Sequence, residues 1–532
     1  MRVNMLSRNS PQSASASPGA GLPRRGRPAT RLALSAATAV LLILCFPKFD
    51  LAWLAPVALA PLLIGVALER APWRRFLGGW IAGVIYWAGV CYWIQGVLAE
   101  HAGMAAWAAW LAFCLFCAYK ALHMAFFACL AGPLMTRRWA ALGVPALWVA
   151  IESTHGGLGF SWLNLGSAGI DMPPLARLAP FTGVWGISFA FAMLATGAAL
   201  LVLGRWRREL VPLLVLLPLA LLPKLPAPEP GTQVAVLVQP NLSGEAFWSA
   251  EWAHAMRERL KVFTLEQATA GAGERPALIV WPEMPMPLYY YQDPGFRDEV
   301  DGLARRTAAY LVLNVTPHNA AGAPLNSALL VSPQGAPAGR YDKVNLVPFG
   351  EYVPRLFQAL VEKVSSEAGD FAPGERQTVL PAGEHKIGAF ICYESVFPDY
   401  VRRFAVLGAD LFVNISNDGW YGKSAARDQH LRIVRMRAAE NRRWILRATN
   451  DGITSTIDPA GRLRRNLPSY VAGAARTGFS YLSATTFYSR HGDWFVWVAI
   501  VLAAAGLAEA LLGKPPAASP PSRGGSGARH RP

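Results

Sequence analysis

Apolar positions along the chain follow two different rules. Near-continuous apolar runs occupy about 32–46, 51–68, 77–98, 104–131, 139–154, 180–203, 208–223 and 493–512. A helix crossing the hydrocarbon of a bilayer needs about 20 residues, roughly 17–25 in practice. The runs therefore predict a multi-pass α-helical membrane domain of about eight spans, the first, fifth and seventh being short. Between the seventh and eighth runs, short β-rich stretches alternate with amphipathic helical ones, which predicts an α/β layered domain. Strands are expected at Val234–Val238, Ala277–Trp281, Tyr310–Val315, Ala328–Val331, Lys386–Cys392, Leu411–Ser416 and Trp444–Thr449. Helices are expected at Ser249–Thr269, Phe296–Ala309, Asp399–Leu407 and Ala425–Asn441. The chain thus divides into a disordered tail (1–30), a membrane domain (31–224), a domain outside the membrane (225–490), a last span (491–513) and a second disordered tail (514–532). The Pro-rich run Leu222–Gly231 is expected to be a stiff linker out of the membrane.

Composition agrees with this split. Of 532 residues, 53% are hydrophobic and 16% charged, whereas an ordinary soluble domain is about 25% charged. The formal net charge of +16 would raise nucleic acid as a partner if it lay on a soluble surface. Instead it gathers in alternate loops and tails: Arg2, Arg8, Arg24, Arg25, Arg27 and Arg31; Arg70, Arg74 and Arg75; Arg137 and Arg138; Arg205, Arg207 and Arg208; Lys514, Arg523, Arg529 and Arg531. The short loops of the other set carry only Lys48 and Arg177. Basic loops stay in the cytoplasm, so both termini are expected inside and residues 225–490 outside. The basicity is a topology signal, and no nucleic-acid partner is expected.

Of the six cysteines, Cys45, Cys91, Cys114, Cys117 and Cys129 fall in apolar runs, and Cys392 stands by itself in the exported domain. A disulfide within that domain is excluded, and a lone thiol in an oxidising space is a liability unless buried or used. The Cys114/Cys117 spacing lies inside an apolar helix and reads as packing. Lys120 and His123 lie in the fourth run, where Lys120 either snorkels or faces the bundle. Glu152, beside His155, either meets a lipid headgroup or caps its span.

Three strand ends carry chemistry. Ala277–Trp281 runs into Pro282 and Glu283; a turn after Ala328–Val331 leads to Tyr341-Asp342-Lys343; and Lys386–Ile391 delivers Cys392, Tyr393 and Glu394. A carboxylate can take the thiol proton, while an ammonium stabilises first the thiolate and then an oxyanion. The backbone N–H of Tyr393 would complete an oxyanion hole, and no His is required.

At these residues the exported domain resembles the carbon–nitrogen hydrolase (nitrilase) superfamily, whose members use a Glu–Lys–Cys triad on an αββα sandwich. Over roughly 32–512 the chain resembles the apolipoprotein N-acyltransferase family. The likeness rests on Gly159–Gly166 (GFSWLNLG), Gln239-Pro240-Asn241 with Trp248, Trp281-Pro282-Glu283, Asp342–Tyr352 (DKVNLVPFGEY) and Ile391–Glu394 (ICYE). It continues through Ser416–Gly422 (SNDGWYG), Gln429-His430, Arg435–Ala438 and Thr449–Gly452.

The resemblance implies Glu283 as general base, Lys343 as stabiliser and Cys392 as nucleophile. It also implies supporting roles for Glu351, Glu394, Tyr393 and Trp248, with Trp420 lining an acyl pocket or else packing beneath the following helix. The implied reaction takes an acyl chain from a phospholipid onto Cys392. It then passes the chain to the amino group of the diacylglyceryl-modified N-terminal cysteine of a bacterial apolipoprotein. This implies a monomeric enzyme of the bacterial inner membrane with its catalytic domain on the periplasmic side. Leu288–Tyr291 and Tyr352–Phe371, with Leu356, Phe357, Leu360 and Val361, are candidate lids. No metal cluster, phosphate loop or dinucleotide fingerprint is evident, so no cofactor is expected. A membrane-tethered amidase that lets water resolve the acyl-enzyme shares the same triad and stays open; the apolar spans and lids favour a lipid donor. A non-enzymatic transporter or scaffold would leave Cys392 dispensable.

Overall fold

Alternation along short strands builds the α/β part. In a computed structural model of the chain, the described residues are 28–512 apart from 102, 158–159, 206–207, 243–249, 271–273, 285–287, 349 and 353–370. Trp248, residues 353–370 of the second candidate lid, and nearly all of both predicted tails lie outside them. The strands are β1 (Gln233–Gln239), β2 (Leu278–Val280), β3 (Tyr310–Val315), β4 (Ser327–Val331), β5 (Pro337–Asp342) and β6 (Leu380–Ala382). They continue with β7 (His385–Ile391), β8 (Leu411–Ser416), β9 (Ile445–Thr449), β10 (Thr454–Ile457), β11 (Leu463–Leu467) and β12 (Gly473–Phe479). They form two six-stranded sheets, ordered β12-β1-β2-β3-β4-β5 and β11-β10-β9-β8-β7-β6.

Successive side chains on a strand face opposite layers. Ala235 and Leu237 of β1, Val312 of β3 and Leu330 of β4 accordingly meet Ala389, Val413 and Leu446 of the other sheet in a shared core. Their neighbours Val236, Val238, Leu311 and Leu329 pack outward on helices Ala250–Thr269 and Pro294–Thr307 through Met256, Leu260, Phe296 and Val300. Helices Pro398–Val406 and Ala426–Asn441 cover the second sheet through Val401, Phe404, Leu431 and Val434. The result is the expected αββα sandwich. β1–β2–β3 and β7–β8–β9 are parallel, so their carboxyl ends lie together, the usual place for a site in such sheets.

All eight apolar runs contain helix, but few have the length that eight spans require. Among the described residues, Ala106–Leu134, Val184–Val202 and Trp494–Leu512 are long and apolar enough to cross a membrane. A fourth is reached if Pro72–Val90 and Ile94–Glu100, bent by 56°, count as one span. The rest are shortened for local reasons. Pro56 sits in the 3-10 turn Ala52–Val57, which precedes helix Ala60–Leu68. Ala140–Glu152 has 13 residues, about 20 Å of helix. Pro218 interrupts the 3-10 segment Val211–Leu221. Helices Pro72–Val90 and Ala106–Leu134 approach closely through small residues: a Cβ on Gly83 would stand 2.7 Å from the Ala121 Cα.

The sandwich sits on the apolar helical part of the chain through helix Ala426–Asn441, which is buried on two sides. Leu431, Val434 and Ala438 belong to the sandwich core, whereas Ala426, Ile433, Met436 and Ala439 belong to the membrane-domain core. Arg432 pairs with Asp50 and Asp171, Arg435 pairs with Asp171, and Glu440 Oε1 accepts from the Val184 N–H at 3.0 Å.

Candidate active site

Three loops leave neighbouring carboxyl ends and converge. Glu283 follows β2, Lys343 directly follows β5, and Cys392 follows β7 at the start of the 3-10 turn Cys392–Val396. All three are buried. Cys392 has φ +48°, the left-handed region that a side chain adopts only at a cost of about 1–3 kcal/mol. The strain turns the chain sharply, so the thiol stands at the tip of the strand.

One carboxylate on each side brackets the ammonium. Lys343 Nζ donates to Glu351 Oε1 at 2.8 Å and to Glu283 Oε1 at 3.4 Å. Asn326, just before β4, donates from Nδ2 to the same two oxygens at 2.7 Å (Glu283) and 2.8 Å (Glu351). Asn314 on β3 fixes that orientation by donating to Asn326 Oδ1 at 2.8 Å. The outer oxygens are held as well: Glu283 Oε2 accepts from Asn417 N at 2.9 Å, and Glu351 Oε2 from Val347 N at 2.8 Å. Burial disfavours the Lys343 ammonium, but Glu283 and Glu351 outweigh it and raise its pKa above the ordinary value. Lys343 is therefore a fixed cation.

The thiol behaves oppositely. Burial, then the Glu283 charge, push Cys392 from its ordinary 9.0 up to about 12, against the lowering pull of Lys343 and a hydrogen bond with Ser416. At neutral pH the sulfur stays protonated, and its reactivity depends on a base that removes the proton as attack begins.

Glu394, grouped above with the site carboxylates, is a tie between loops. Its Oε1 accepts from Tyr341 Oη at 2.6 Å, Val344 N at 2.9 Å and Asn345 N at 3.1 Å, and its Oε2 from Ile391 N at 2.9 Å. It locks the Lys343 loop to the Cys392 turn. Tyr341 has a signal in the sequence: two residues before Lys343 at a strand end, it shares that residue's face. Asn326 and Asn314 had no local signal, because only the pairing of β3 with β4 brings them together.

Behind the turn lies a buried polar group. Asp418 accepts two hydrogen bonds from Arg447 Nη2, at 2.9 and 2.7 Å. His430 Nδ1 lies 3.1 Å from Asp418 Oδ1, while its Nε2 lies 2.8 Å from Ser395 Oγ and 3.1 Å from the Cys392 carbonyl oxygen. Burial and the Arg447 charge lower the His430 pKa, so the ring is neutral near pH 7.

Tyr393 contacts the segment that follows helix Ala140–Glu152. Its hydroxyl accepts from Ser161 N at 3.3 Å, and its ring stacks on Phe160 at 6.1 Å. The Phe160 carbonyl accepts from Lys120 Nζ at 2.8 Å; Lys120 faces the bundle and lies over the Trp87 ring at 5.1 Å. Glu152 is buried and accepts from Leu165 N. Trp420 stands edge-on to His101 at 4.9 Å. In the first candidate lid, Leu288 and Tyr290 are buried while Tyr289 and Tyr291 are exposed.

Comparison with known proteins decides the family. Residues 38–197 match the family described as Apolipoprotein N-acyltransferase N-terminal domain, and residues 252–473 match Carbon-nitrogen hydrolase. The apolipoprotein N-acyltransferase of Geobacter metallireducens is 34% identical over 489 residues, covering 87% of this chain and 92% of the relative. That of Azotobacter vinelandii is 35% identical over 519 residues, covering 92% and 95%. This chain belongs to the apolipoprotein N-acyltransferase family. Among solved structures, an amidase from Nesterenkonia sp. aligns at 18% identity and TM-score 0.37, over 51% of this chain and 97% of the amidase. In this member of the apolipoprotein N-acyltransferase family, Glu283, Lys343, Glu351, Cys392 and Glu394 all fall inside the carbon–nitrogen hydrolase match, and Phe160 and Ser161 inside the N-terminal match.

Proposed function

We propose that this protein moves an acyl chain from a membrane phospholipid to the α-amino group of the lipid-modified N-terminal cysteine of an apolipoprotein, through a thioester on Cys392. The observation that carries the mechanism is the bracketed cluster of Glu283, Lys343 and Glu351 beside a strained, protonated Cys392. Glu283 takes the thiol proton as the sulfur attacks the ester carbonyl of the donor. Lys343 and the Tyr393 N–H stabilise the resulting oxyanion. The carbon–oxygen bond breaks, the proton on Glu283 passes to the leaving alkoxide, and a lysophospholipid departs. The acceptor amine then attacks the thioester and gives a proton to Glu283. The carbon–sulfur bond breaks, and the thiolate recovers the proton. Glu351 holds Lys343, and Glu394 holds the turn.

Both substrates are anchored in the bilayer, so tethering the enzyme there confines the search to a surface. The thioester must be kept from water, a role assigned to Tyr289, Tyr291 and Trp420 and, outside the described residues, to the candidate lid 353–370. We read 31–224 and 491–513 as the membrane domain, with the eight apolar segments entering or crossing the bilayer. Residues 225–490 form the periplasmic catalytic domain of a monomer whose two termini are cytoplasmic.

Mass spectrometry of protein purified with phospholipid is expected to find an acyl adduct on Cys392 that disappears when apolipoprotein is added. If labelled phospholipid yields only free fatty acid with apolipoprotein present, water is the acceptor and the transferase reading fails.

A further inference from the structure

Two adjacent buried residues of helix Ala426–Asn441 face different domains. Gln429 spends its side chain on the membrane domain: Nε2 donates to Pro47 O at 2.7 Å and Val90 O at 3.1 Å, and Oε1 accepts from Trp162 Nε1 at 2.8 Å. His430 turns to the nucleophile: with its single proton on Nε2 the neutral ring donates to the Cys392 carbonyl oxygen at 3.1 Å, beside Ser395 Oγ at 2.8 Å, while Nδ1 accepts from Arg447 Nη2 at 3.3 Å.

The Val90 carbonyl is a special acceptor. It ends helix Pro72–Val90, and in a continuous helix it would accept from the Ile94 N–H. At the 56° bend the Ile94 N–H donates instead to Cys91 O at 3.0 Å, which frees the Val90 oxygen in a buried place. Gln429 takes up that freed oxygen from the other domain. Straightening the helix would return Val90 O to Ile94 N–H and displace the Gln429 amide, so bend and amide stabilise each other. Beyond the bend, Ile94–Glu100 has no fully buried residue. That segment is only partly buried, with Ile94 and Val97 packed against the core, and it leads to His101 against Trp420.

We propose that Gln429 is a positioning residue for acyl transfer, coupling the bent membrane helix to the Cys392 turn through His430. Rotation of this helix or a shift of its Gln429 end moves the ring that supports the Cys392 carbonyl, and hence the aim of the sulfur. The inference rests on Cys392 being the nucleophile of the proposed reaction. The seat of the helix does not depend on Gln429 alone, because Arg432, Arg435 and Glu440 anchor the next turns. The effect of Gln429 is therefore separable from docking.

The test uses the full-length protein in phospholipid–detergent micelles. Gln429→Met keeps the volume and removes the donors. It is expected to slow formation of the Cys392 acyl-enzyme by about ten- to hundredfold, since a displacement of about 1 Å can cost that much. KM for phospholipid is expected to stay within about twofold. Iodoacetamide alkylation of Cys392 without any acyl donor should change in the same variant. His430→Gln should give a similar loss, and the double variant little more than either alone, the mark of one coupled unit. Trp162→Phe, which removes only the Oε1 partner, gives a smaller change in the same direction and serves if Gln429→Met does not fold. Arg435→Gln, which weakens the same seat at its half-exposed rim, should leave alkylation within about twofold.

Unchanged alkylation and acylation in both Gln429→Met and Trp162→Phe would overturn the coupling, as would strictly additive losses with His430→Gln. Alkylation needs no lipid transfer. A wild-type protein that alkylates with these dependences but acylates no apolipoprotein would overturn the transferase reading while leaving the coupling intact.

Discussion

Glu283 helps to set the protonation of Cys392. Because burial and the Glu283 charge both hold the thiol near 12, Glu283→Gln removes one raising influence. The alkaline inflection of Cys392 alkylation should move to lower pH in that variant even though acyl transfer is lost. Lys343→Met removes the lowering influence and should move the inflection upward; equal inflections in the two variants would contradict this account. The same shift has a stability sign. A folded thiol pKa above its ordinary 9.0 favours the protonated form, so its contribution is complete below about pH 9 and is lost as pH rises toward 12. Asn326 serves both carboxylates, and hydrogen bonds to charged groups contribute about 1.5–3 kcal/mol. Asn326→Leu should therefore slow acyl-enzyme formation by about ten- to hundredfold, measured by a single-turnover assay. At this scale Glu283, Lys343 and Cys392 were legible, since each follows a strand run into a marked turn. Asn326 was not, because its role exists only once β3 and β4 pair.

Among elements, those with a clean apolar rhythm were readable. β3 and β8 have the bounds their sequences predict, Tyr310–Val315 and Leu411–Ser416. The strand β12 (GAARTGF) carries two glycines and an arginine and gave no signal; it forms because every residue from Gly473 to Phe479 pairs antiparallel with β1. Helix Ala426–Asn441 was expected, but its burial on two sides was not, since Arg432, Arg437 and Glu440 look like a solvated face until the membrane domain covers them. Glu440 tests that seat. Burial pushes its carboxyl from 4.5 up to about 7, so the fold prefers it neutral. Its favourable contribution is present below 4.5 and lost as pH rises through about 7. Glu440→Gln keeps an acceptor for the Val184 N–H and stays neutral. Because the variant also gives up the buried 2.8 Å ion pair with Arg437, the test is the change with pH: the Tm of Glu440→Gln relative to the unaltered protein should rise from pH 5 to pH 8, and a fall would refute the assignment.

For the molecule as a whole, the separation of an apolar helical part from a sandwich was visible in the apolar runs, but helix length was not. Hydropathy registers apolar content, whereas the 3-10 turn around Pro56, the 3-10 segment around Pro218 and the break after Val90 limit how far α-helix runs. The proposed orientation predicts that Ala321→Cys, on an exposed turn of the sandwich, reacts with a membrane-impermeant maleimide in intact spheroplasts. Arg70→Cys, on a basic loop, should react only after the membrane is opened. Labelling in the opposite order would invert the topology.

The pairing of Gln233 with Phe479 has a mechanical consequence. Both covalent connections leave the sandwich side by side at one edge, while the thiol lies toward the other end of the parallel strands. A few extra spacer residues between Pro230 and Gln233 would lengthen the leash without touching the grip. The backbone is thus a mooring line, and the alignment of sulfur with lipid is set by the non-covalent berth beneath it.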